Sequence, residues 1–394
     1  MISLNDIQEA RRTIASSVHR TPLIHSNSLS LMTGAEVYLK LENLQKTGSF
    51  KVRGAFVKLS RIAGRKIIAA SMGNHAQAVA YAAAKLGKQA MIVMPETASI
   101  VKQEATKGYG AEVILFGQRF QEALDHALSR RDAVFVHPYD DDEIIAGQGT
   151  IGLEVFEDLQ DIDAVLVPVG GGGLIAGIAL AVKALSPRTA VIGVQTEAAT
   201  SACRSFREST ICEHVPGTTI ADGIAVGRVG ERTLAVMAHH VDGMLTASED
   251  TISRAILLFL ERKKLVVEGA GAVGLAALLE NSERFRGKRL VLVVSGGNID
   301  FTLVDRIILR GLATSGRIGN FSVIVDDISG SLHAVTGIIA GTRANILNVS
   351  HDRLAADIPI GRARVLFTVE VRGREHLDEV FAALRDKGFV VGPA

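Results

Sequence analysis

The segment Lys46-Thr-Gly-Ser-Phe-Lys51-Val-Arg-Gly-Ala55 is the most informative part of this 394-residue chain. It places one lysine, Lys51, between an aromatic residue and a predicted helix start, directly after a small polar turn. A lysine amine attacks a carbonyl group only in its unprotonated form, and a partly apolar, turn-bound setting lowers the pKa of the amine towards that form. The segment therefore makes Lys51 a candidate catalytic residue.

Short apolar runs alternate with helical stretches over most of the first 300 residues. The strand candidates are 37–41, 66–71, 90–95, 112–117, 133–138, 164–169, 190–195 and 290–295, and the helix candidates are 75–86, 100–107, 119–130, 174–185 and 252–263. Continuous apolar strands separated by helices imply parallel sheets in an α/β fold. We therefore predict two parallel-sheet α/β subdomains, divided near Asp140–Asp142.

The segment Ser71-Met72-Gly73-Asn74-His75 lies where a predicted strand turns into an alanine-rich helix. Serine and asparagine are preferred helix caps, so the segment has a purely structural interpretation. The alternative is functional, because exposed backbone N–H groups at a helix start bind a carboxylate. The presence of Lys51 earlier in the chain favours the functional interpretation.

A run of glycines ends a strand and opens a helix, in the order Gly170, Gly171, Gly172, Gly173 and Leu174. Glycine lets the backbone approach a phosphate closely, and the following helix start supplies N–H donors. A packing turn is the structural alternative. A dinucleotide site is another, since Gly171-x-Gly173-x-x-Ala176 fits that fingerprint and Glu197 follows the next strand. The Lys51 segment does not belong to a dehydrogenase and argues against a dinucleotide.

In their order from Lys46 to Asn298, these segments resemble the fold-type II pyridoxal-phosphate enzymes, specifically the group of threonine dehydratases (threonine ammonia-lyases) and serine racemases. Two further segments complete the resemblance: Ser295-Gly-Gly-Asn298 after a predicted strand, and Asp222-Gly223 together with Glu268-Gly-Ala-Gly-Ala272. By themselves, the first is equally a tight turn and the surroundings of Glu268 are equally structural. The resemblance implies the tryptophan synthase β-like architecture, with pyridoxal 5'-phosphate as the cofactor.

The resemblance also implies a role for each segment. Lys51 carries the cofactor and removes a proton from the substrate, with Phe50 beside it. The further cofactor contacts that it implies are Asn74 to the ring hydroxyl, Gly170, Gly171, Gly172, Gly173 and Leu174 to the phosphate, Gly223 nearby, and Ser295 to the pyridine nitrogen. The substrate-binding residues that it implies are Ser71, Met72, Gly73, Asn74 and His75.

The implied organisation has a large cofactor-binding subdomain (1–41 and 141–315), a small subdomain (42–140) and a C-terminal domain (318–394). In the C-terminal part the pattern predicts strand 322–325, helix 331–340, strands 346–354 and 362–371, helix 376–387 and strand 389–391. That βαββαβ order is ferredoxin-like. The segment Asp327-Ile-Ser-Gly330-Ser-Leu332, followed by Ala344-Asn345-Ile346, resembles an ACT regulatory domain, although Ser329 stands where such modules usually have proline.

The resembled family implies β-elimination of L-threonine to 2-oxobutanoate and ammonia, and of L-serine to pyruvate. A dehydratase for another 3-hydroxy amino acid, such as 3-hydroxyaspartate, and a serine racemase-like enzyme stay open as alternatives, as does a catalytically silent amino-acid sensor. Met72 occupies the position where serine racemases carry an acid/base serine, and a thioether transfers no proton. Racemisation is therefore disfavoured.

Other family features concern metals, effectors and assembly. The family's divalent-metal site uses Glu197, a carbonyl near Ser201 and an acidic residue that is replaced here by Cys203, so we expect no metal. The ACT-like tail implies a small amino-acid effector such as isoleucine or valine, bound at an interface near Gly330 and Asn345. A tail that only supports oligomerisation is the alternative. A homodimer or homotetramer is implied.

Composition excludes several other classes of function. The 43 basic and 42 acidic residues nearly cancel, which gives no reason to expect nucleic acid or an anionic membrane as partner. Two cysteines, Cys203 and Cys212, provide no disulfide framework. The uncharged stretch 164–182 contains Pro168 and the glycine run, which favour a strand, a turn and a buried helix over a membrane span. We expect a cytoplasmic enzyme without a signal peptide.

Overall fold

A computed structural model describes residues 2–353 and 357–393, and the chain divides into two compact units, Met1–Ile299 and Asp300–Ala394. The helices are α1 (Leu4–Ile14), α2 (Asn27–Thr33), α3 (Lys51–Arg61), α4 (Asn74–Lys85), α5 (Ile100–Gly108), α6 (Phe120–Ser129), α7 (Asp142–Asp158), α8 (Gly173–Leu185), α9 (Ser201–Glu208), α10 (Glu231–His240), α11 (Glu249–Leu258), α12 (Gly269–Glu280), α13 (Ser282–Phe285), α14 (Phe301–Thr314), α15 (Ser331–Gly341) and α16 (Arg374–Asp386). The strands are β1 (Leu23–His25), β2 (Glu36–Leu41), β3 (Lys66–Ala70), β4 (Gln89–Met94), β5 (Glu112–Leu115), β6 (Val134–Phe135), β7 (Ala164–Pro168), β8 (Ala190–Thr196), β9 (Gly243–Ala247), β10 (Arg289–Val294), β11 (Ile318–Asp326), β12 (Asn345–Asp352), β13 (Arg362–Glu370) and β14 (Val390–Pro393).

The first unit contains a six-stranded sheet in the order β1-β2-β10-β7-β8-β9. All its pairings are parallel except that of β1 with β2. Strand β7 is buried along its whole length, and β10 is buried from its second residue onward. Continuous apolar strands of this kind are typical of a parallel sheet covered on both faces. Strand β2, from the start of the chain, pairs with β10 over six residues, Glu36 to Leu41.

The second sheet of this unit has the order β5-β4-β3-β6, and all its strands are parallel. Strand β6 covers only two of the six residues predicted as strand at 133–138. The reason is local, because His137 Nδ1 accepts the backbone N–H groups of Tyr139 and Asp140 at 3.2 and 2.8 Å. These bonds turn the chain away from the sheet, so the strand predicted to Pro138 was too long.

Close helix packing holds the first unit together. A Cβ on Gly147 of α7 would lie 2.5 Å from the Gly54 Cα of α3, and one on Gly177 of α8 would lie 2.3 Å from the Ile145 carbonyl of α7. Side chains larger than hydrogen are therefore excluded at these crossings. Helix α7 was not predicted from the sequence. It is buried on nearly every side and so has no polar stripe to mark it.

The uncharged stretch 164–182 forms β7, a glycine loop and the buried helix α8, as predicted. Within the described ranges, no helix combines the length and the apolar character needed to span a membrane.

The second unit begins with α14, which the sequence analysis did not predict, and continues as β11-α15-β12-β13-α16-β14. Its antiparallel sheet has the order β12-β13-β11-β14. One face forms a core with α15 and α16, built around the stacked rings of Phe321 and Phe367. The predicted class, α/β with parallel-sheet subdomains followed by a βαββαβ unit, is confirmed. Of the strand predicted at 346–354, Leu354 lies outside the described residues.

Candidate active site

The loops that follow strands of the two parallel sheets carry most of the candidate residues. Strands β7 and β10 are neighbours, so the glycine loop after β7 and the Ser295 loop after β10 leave the same edge of the six-stranded sheet. Strands β3 and β6 are neighbours in the other sheet and lead into the Ser71 loop and the His137 turn. Ligands bind at such carboxyl edges of parallel sheets.

Lys51 is the first residue of α3. Its Nζ donates a hydrogen bond to the Pro138 carbonyl at 3.0 Å and lies 5.2 Å from the centre of the Phe50 ring. Burial lowers the pKa of Lys51 to about 8, while the nearby charge of Glu268 opposes that shift. The amine is therefore held in one direction and loses its proton more readily than an exposed lysine.

The segment before Lys51 joins the Ser295 loop directly. The Phe50 N–H donates to the Ser295 carbonyl at 3.1 Å, and Ser49 forms an isolated antiparallel bridge with Gly296. Ser295 is thereby fixed close to Lys51 in space. The buried hydroxyls of Thr47 and Ser49 have no hydrogen-bond partner among the described residues. Buried hydroxyls without a partner, close in sequence to a buried lysine amine, are expected where a polar ligand is to be bound.

The Ser71–Gly73 loop leads into α4, and Gly73 is its N-terminal flanking residue. A Cβ on Gly73 would meet no atom within 4 Å, so the space in front of this helix start is open. The Ser71 hydroxyl accepts the Gly73 N–H at 3.2 Å and orders the turn. An open helix start of this kind offers backbone donors to a carboxylate.

Two residues of this loop turn their side chains elsewhere. His75 is buried, and its Nε2 lies 3.0 Å from the Val136 carbonyl. Burial, followed by the charge of Lys51, lowers the pKa of His75 to about 3, so the ring stays neutral. Met72 is half-buried and packs against a core that combines β3 and β4 with the helices α1, α3, α4, α7 and α8. Because the His75 ring is turned towards Val136, only the backbone of His75 remains available to bind a substrate at the start of α4.

The glycine loop is enclosed by side chains that leave no room for a Cβ. A Cβ on Gly171 would lie 2.4 Å from the Tyr139 ring, and one on Gly172 would lie 2.7 Å from the Thr233 hydroxyl. Gly172 has φ +96°, a left-handed conformation that favours glycine. Leu174, on the first turn of α8, is buried in the core. Glycine is thus required here by contacts on the protein side of the loop.

The backbone of this loop retains its donors. Within residues 2–353 and 357–393, the N–H groups of Gly170 to Gly173 donate to no other residue, whereas the Gly171 carbonyl accepts from Thr233 Oγ1 at 2.7 Å. Free N–H groups ahead of a 13-residue helix fit a phosphate. Together with the buried amine of Lys51 and the orphaned hydroxyls, they fit a pyridoxal phosphate.

Replacement of Gly171 by alanine is expected to weaken binding of pyridoxal phosphate by about tenfold or more, corresponding to about 1.4 kcal/mol. The added methyl would overlap the Tyr139 ring, and relief of that overlap would displace the N–H donors. Titration of cofactor-free protein with pyridoxal phosphate, followed by absorbance, measures the change. Gly243→Ala is the matched control, since a Cβ there meets nothing within 4 Å. Unchanged affinity in Gly171→Ala would contradict a phosphate-binding role for the loop.

Glu268 lies close to two other predicted residues of the site, Asn74 and Gly223. Asn74 Nδ2 donates to both carboxylate oxygens of Glu268, at 2.8 and 3.1 Å. A Cβ on Gly223 would approach Ala270 Cβ at 3.1 Å and Glu268 Oε1 at 3.6 Å. Gly223 lies 149 positions after Asn74 and Glu268 lies 45 positions after Gly223, so folding brings three distant segments together.

The two predicted effector residues lie in the second unit, at opposite ends of it. Gly330 precedes α15 and lies near the end of β11. Asn345 begins β12 and pairs with Glu370 of β13. Glu370 also pairs with Ile318, so Asn345 lies towards the start of β11. Helix α15, which separates them, is roughly 16 Å long for its 11 residues. Within one chain these two residues therefore do not form a single site.

Several residues at the site were not assigned a role from the sequence. Pro138 accepts from Lys51, Tyr139 covers the glycine loop, and Asn298 donates to Asn74. His137, whose pKa is lowered to about 4 by burial, supports this turn as a neutral acceptor. The sequence His137-Pro138-Tyr139 could have indicated these residues, because it lies at the end of a predicted parallel strand and such strand ends form the ligand-binding edge of the sheet.

Comparisons with known proteins agree with this geometry. A family model described as pyridoxal-phosphate-dependent enzyme matches residues 14–296. The chain is 48% identical over 399 positions to the L-threonine ammonia-lyase of Thermotoga maritima, covering 99% of each chain. It is also similar to the solved structure of processed threonine deaminase isoform 2 from Solanum lycopersicum (TM-score 0.75, 38% identity, 78% of this chain and 87% of that one). The maize serine racemase structure gives a TM-score of 0.74 at 33% identity, covering 79% of this chain and 98% of that one.

Proposed function

Because this chain belongs to the family of pyridoxal-phosphate-dependent enzymes, we propose that it is a threonine ammonia-lyase, which converts L-threonine to 2-oxobutanoate and ammonia and L-serine to pyruvate. The family expected from the Lys51 segment is confirmed, and pyridoxal phosphate is the cofactor. The observation that carries the substrate assignment is the similarity to a named L-threonine ammonia-lyase along the whole chain. The site supports it with the buried amine of Lys51 and the open start of α4.

In the proposed reaction, Lys51 would have the central role. Lys51 Nζ would hold the cofactor covalently and, once free, would take the proton from the Cα of the bound substrate. The Pro138 carbonyl directs that amine, and burial keeps its pKa near 8, so that it can both lose and regain a proton around neutral pH. When bound, pyridoxal phosphate supplies the electron sink for the charge left at Cα.

Binding and orientation fall to the loops. The N–H groups of Gly170–Gly173 would bind the phosphate, and the start of α4, from Ser71 to Asn74, would bind the substrate carboxylate. Ser295 would place a neutral hydroxyl at the pyridine nitrogen, which does not enforce its protonation. A neutral hydroxyl at this position would favour loss of a β-leaving group and disfavour reversible side reactions. Gly223 would lie near the cofactor.

Racemisation is the less favoured activity, although a serine racemase is among the similar structures. A racemase needs an acid/base group on the face of the cofactor opposite Lys51. Met72 stands at the position of that group in the resembled racemases, and its side chain packs against the core. A thioether at this place neither gives nor takes a proton.

The test is the initial rate of 2-oxo-acid formation by purified protein supplied with pyridoxal phosphate. Turnover of L-threonine, with slower or comparable turnover of L-serine, is expected. A panel with 3-hydroxyaspartate and D-serine distinguishes the rival eliminations from racemisation. Absence of 2-oxobutanoate while the cofactor remains bound would overturn the substrate assignment and leave the family intact.

The proposal extends to organisation. We assign residues 1–41 and 141–315 to a large cofactor-binding subdomain, 42–140 to a small one, and 318–394 to an ACT-like domain with the βαββαβ order described above. Helix α14, at the end of the range given to the large subdomain, belongs to the second compact unit. The enzyme would act in the cytoplasm, in keeping with two free cysteines, Cys203 and Cys212. Assembly as a homodimer or homotetramer is carried over from the resembled family, and light scattering of the purified protein tests it.

The ACT-like domain would bind isoleucine or valine. Since Gly330 and Asn345 lie at opposite ends of one unit, such a site requires Gly330 of one copy and Asn345 of another. We expect calorimetric titration with one of these amino acids to release or absorb heat. The bound effector should change the affinity for substrate by about 5- to 150-fold, and the substrate should change the affinity for the effector by the same factor. Asn345→Ala should weaken effector binding and Asn348→Ala, on the same strand, should not. No heat with either amino acid would favour a tail that serves oligomerisation alone.

A further inference from the structure

We propose that Glu268 is a positioning residue for the side-chain amide of Asn74, and that it performs this task only as an ionised carboxylate. The inference rests on the proposed function to the extent that Asn74 faces the cofactor. It goes beyond that function because it assigns a pH-dependent control of the site to a residue that need not touch the substrate.

A chain of side-chain hydrogen bonds fixes the amide of Asn74 from both sides. Asn298 Nδ2 donates to Asn74 Oδ1 at 2.7 Å and to the Thr47 carbonyl at 2.8 Å. Asn74 Nδ2 in turn donates to both oxygens of Glu268. A flipped amide would set its NH₂ group against that of Asn298 and its oxygen against the carboxylate. Only one orientation satisfies both partners.

The backbone and the packing hold Glu268 itself in place. The Glu268 N–H donates to the Gly296 carbonyl at 3.1 Å. A Cβ on Gly296 would lie 2.3 Å from Glu268 Oε1, so the loop is shaped around this side chain. Glu268 is 5% exposed. A carboxylate with little freedom can transmit its protonation state to the group that it contacts.

Charged groups from three other elements face Glu268. Asp222, in the short helical turn Asp222–Ile224, disfavours its charge, while Lys102 on α5 and Lys51 on α3 favour it. Burial is the largest influence and raises the pKa of Glu268 to about 7, against the lowering effect of the Asn74 amide. The carboxyl group therefore changes its protonation state within the physiological range of pH.

The direction of the effect follows from hydrogen-bond chemistry. Above pH 7 the carboxylate only accepts, which matches the two bonds from Asn74. Below pH 7 one oxygen carries a proton and becomes a donor, so one bond to Asn74 is lost and the other is no longer charge-assisted. The same proton removes the negative charge that favours the ammonium form of Lys51. Acidification should therefore loosen Asn74 and alter the surroundings of the cofactor in one step.

The test compares wild-type holoenzyme with Glu268→Gln and Glu249→Gln between pH 5.5 and 8.5. Absorbance of the bound cofactor and kcat/KM for L-threonine are both recorded. In the wild type, both should change with a midpoint near pH 7. Glu268→Gln should abolish the spectral transition, flatten the acid side of the kcat/KM profile and lower kcat/KM at pH 8 about tenfold, the loss expected for a charge-assisted hydrogen bond.

Glu249→Gln is the matched control. Glu249 accepts from Thr219 Oγ1 and the Ile220 N–H, two residues before Asp222, and makes no contact with Asn74. The same chemical change should therefore leave the transition near pH 7 unaltered. A transition that persists at the same pH in Glu268→Gln, or one that disappears equally in Glu249→Gln, would overturn the proposal.

Asn298→Ala provides an independent variant, because Asn298 is exposed and its loss should not impair folding. It frees Asn74 Oδ1, so the amide can turn, and the spectral change with pH should become smaller while its midpoint stays near 7. A pH-dependent spectrum identical to that of the wild type would contradict the proposed role of the hydrogen-bond chain from Asn298 through Asn74 to Glu268. Since the spectrum requires no substrate, failure of the threonine assignment would appear as absent turnover with the pH transition intact.

Discussion

Replacement of Lys51 by alanine is expected to lower the rate of 2-oxobutanoate formation by at least about 10⁴-fold. In the proposed mechanism Lys51 would supply both the covalent attachment of the cofactor and the base that takes the Cα proton, and each role is worth orders of magnitude in rate. Its amine is buried, directed at the Pro138 carbonyl and perturbed in pKa, as expected for a group that exchanges protons. The measurement is a steady-state assay with saturating pyridoxal phosphate.

Lys58→Ala is the matched control for that experiment. Lys58 lies on the same helix, seven residues later, and forms ion pairs with Asp141 and Glu143. Lys58 is half-buried and pairs with residues at the start of α7, not with the glycine, Ser71 or Ser295 loops, so kcat should change by less than about twofold, in line with the small effects of ion pairs that keep some contact with solvent. A near-normal rate in Lys51→Ala would refute the catalytic assignment.

Replacement of Arg53 by methionine is expected to destabilise the protein by about 3–5 kcal/mol, the range for breaking a buried ion pair. Arg53 is completely buried, two residues after Lys51, and its guanidinium contacts Glu42 and Glu154 at 2.7 to 2.9 Å. Lys40 completes the cluster through Glu154 and the Thr21 carbonyl. Loss of Arg53 would leave two buried carboxylates with one cation between them.

The pH dependence of that loss has a definite sign. Burial alone would raise the pKa of Glu42, but the charge and hydrogen bonds of Arg53 lower it below its usual value. A lowered pKa in the folded state contributes stability above the unfolded pKa of about 4.3, and that stability disappears as pH falls through the folded pKa. The variant should therefore be destabilised most at pH 7 and less in acid.

Denaturant unfolding of the two proteins at pH 7 and pH 4 measures this difference. Arg11→Met serves as control, because the Arg11–Glu157 pair is exposed and should contribute less than about 1 kcal/mol. Equal stability of Arg53→Met and wild type at pH 7 would contradict the inferred role of the cluster. Because Glu154 belongs to α7 and Glu42 precedes the Lys51 segment, the same cluster also anchors α3, the helix that begins with Lys51.

The candidate site was predicted from sequence to the extent that its parts are local. A lysine after a small polar turn, a Ser-to-His cap before an alanine-rich helix, and four glycines between a strand and a helix each carry their indication within ten residues. The structure places Lys51 at the start of α3, Asn74 at the start of α4 and Gly173 at the start of α8, as these patterns predict.

The errors have the same physical origin. Helix α7 escaped prediction because it is apolar on all sides, and β6 ends early because one histidine nitrogen binds two N–H groups of the following turn. Both cases depend on contacts that no local periodicity records. The effector site expected at an interface near Gly330 and Asn345 stays a prediction, and the length of α15 adds only that the two residues would have to come from different copies.

The class of fold and the positions of the helix starts could be predicted because apolar periodicity, helix caps and glycine conformations act over a few residues. The family and the proposed role of Lys51 followed from the resemblance of the Lys51, Ser71–His75 and Gly170–Gly173 segments. Which groups face each other depends on the tertiary structure. The Pro138 carbonyl lies 87 positions from Lys51, Glu268 lies 194 from Asn74, and Asn298 lies 224 from it. Hydrogen-bond partners in a buried site are selected by the packing of distant segments, and that packing also raises the pKa of Glu268 to about 7 and holds Arg53 between two carboxylates.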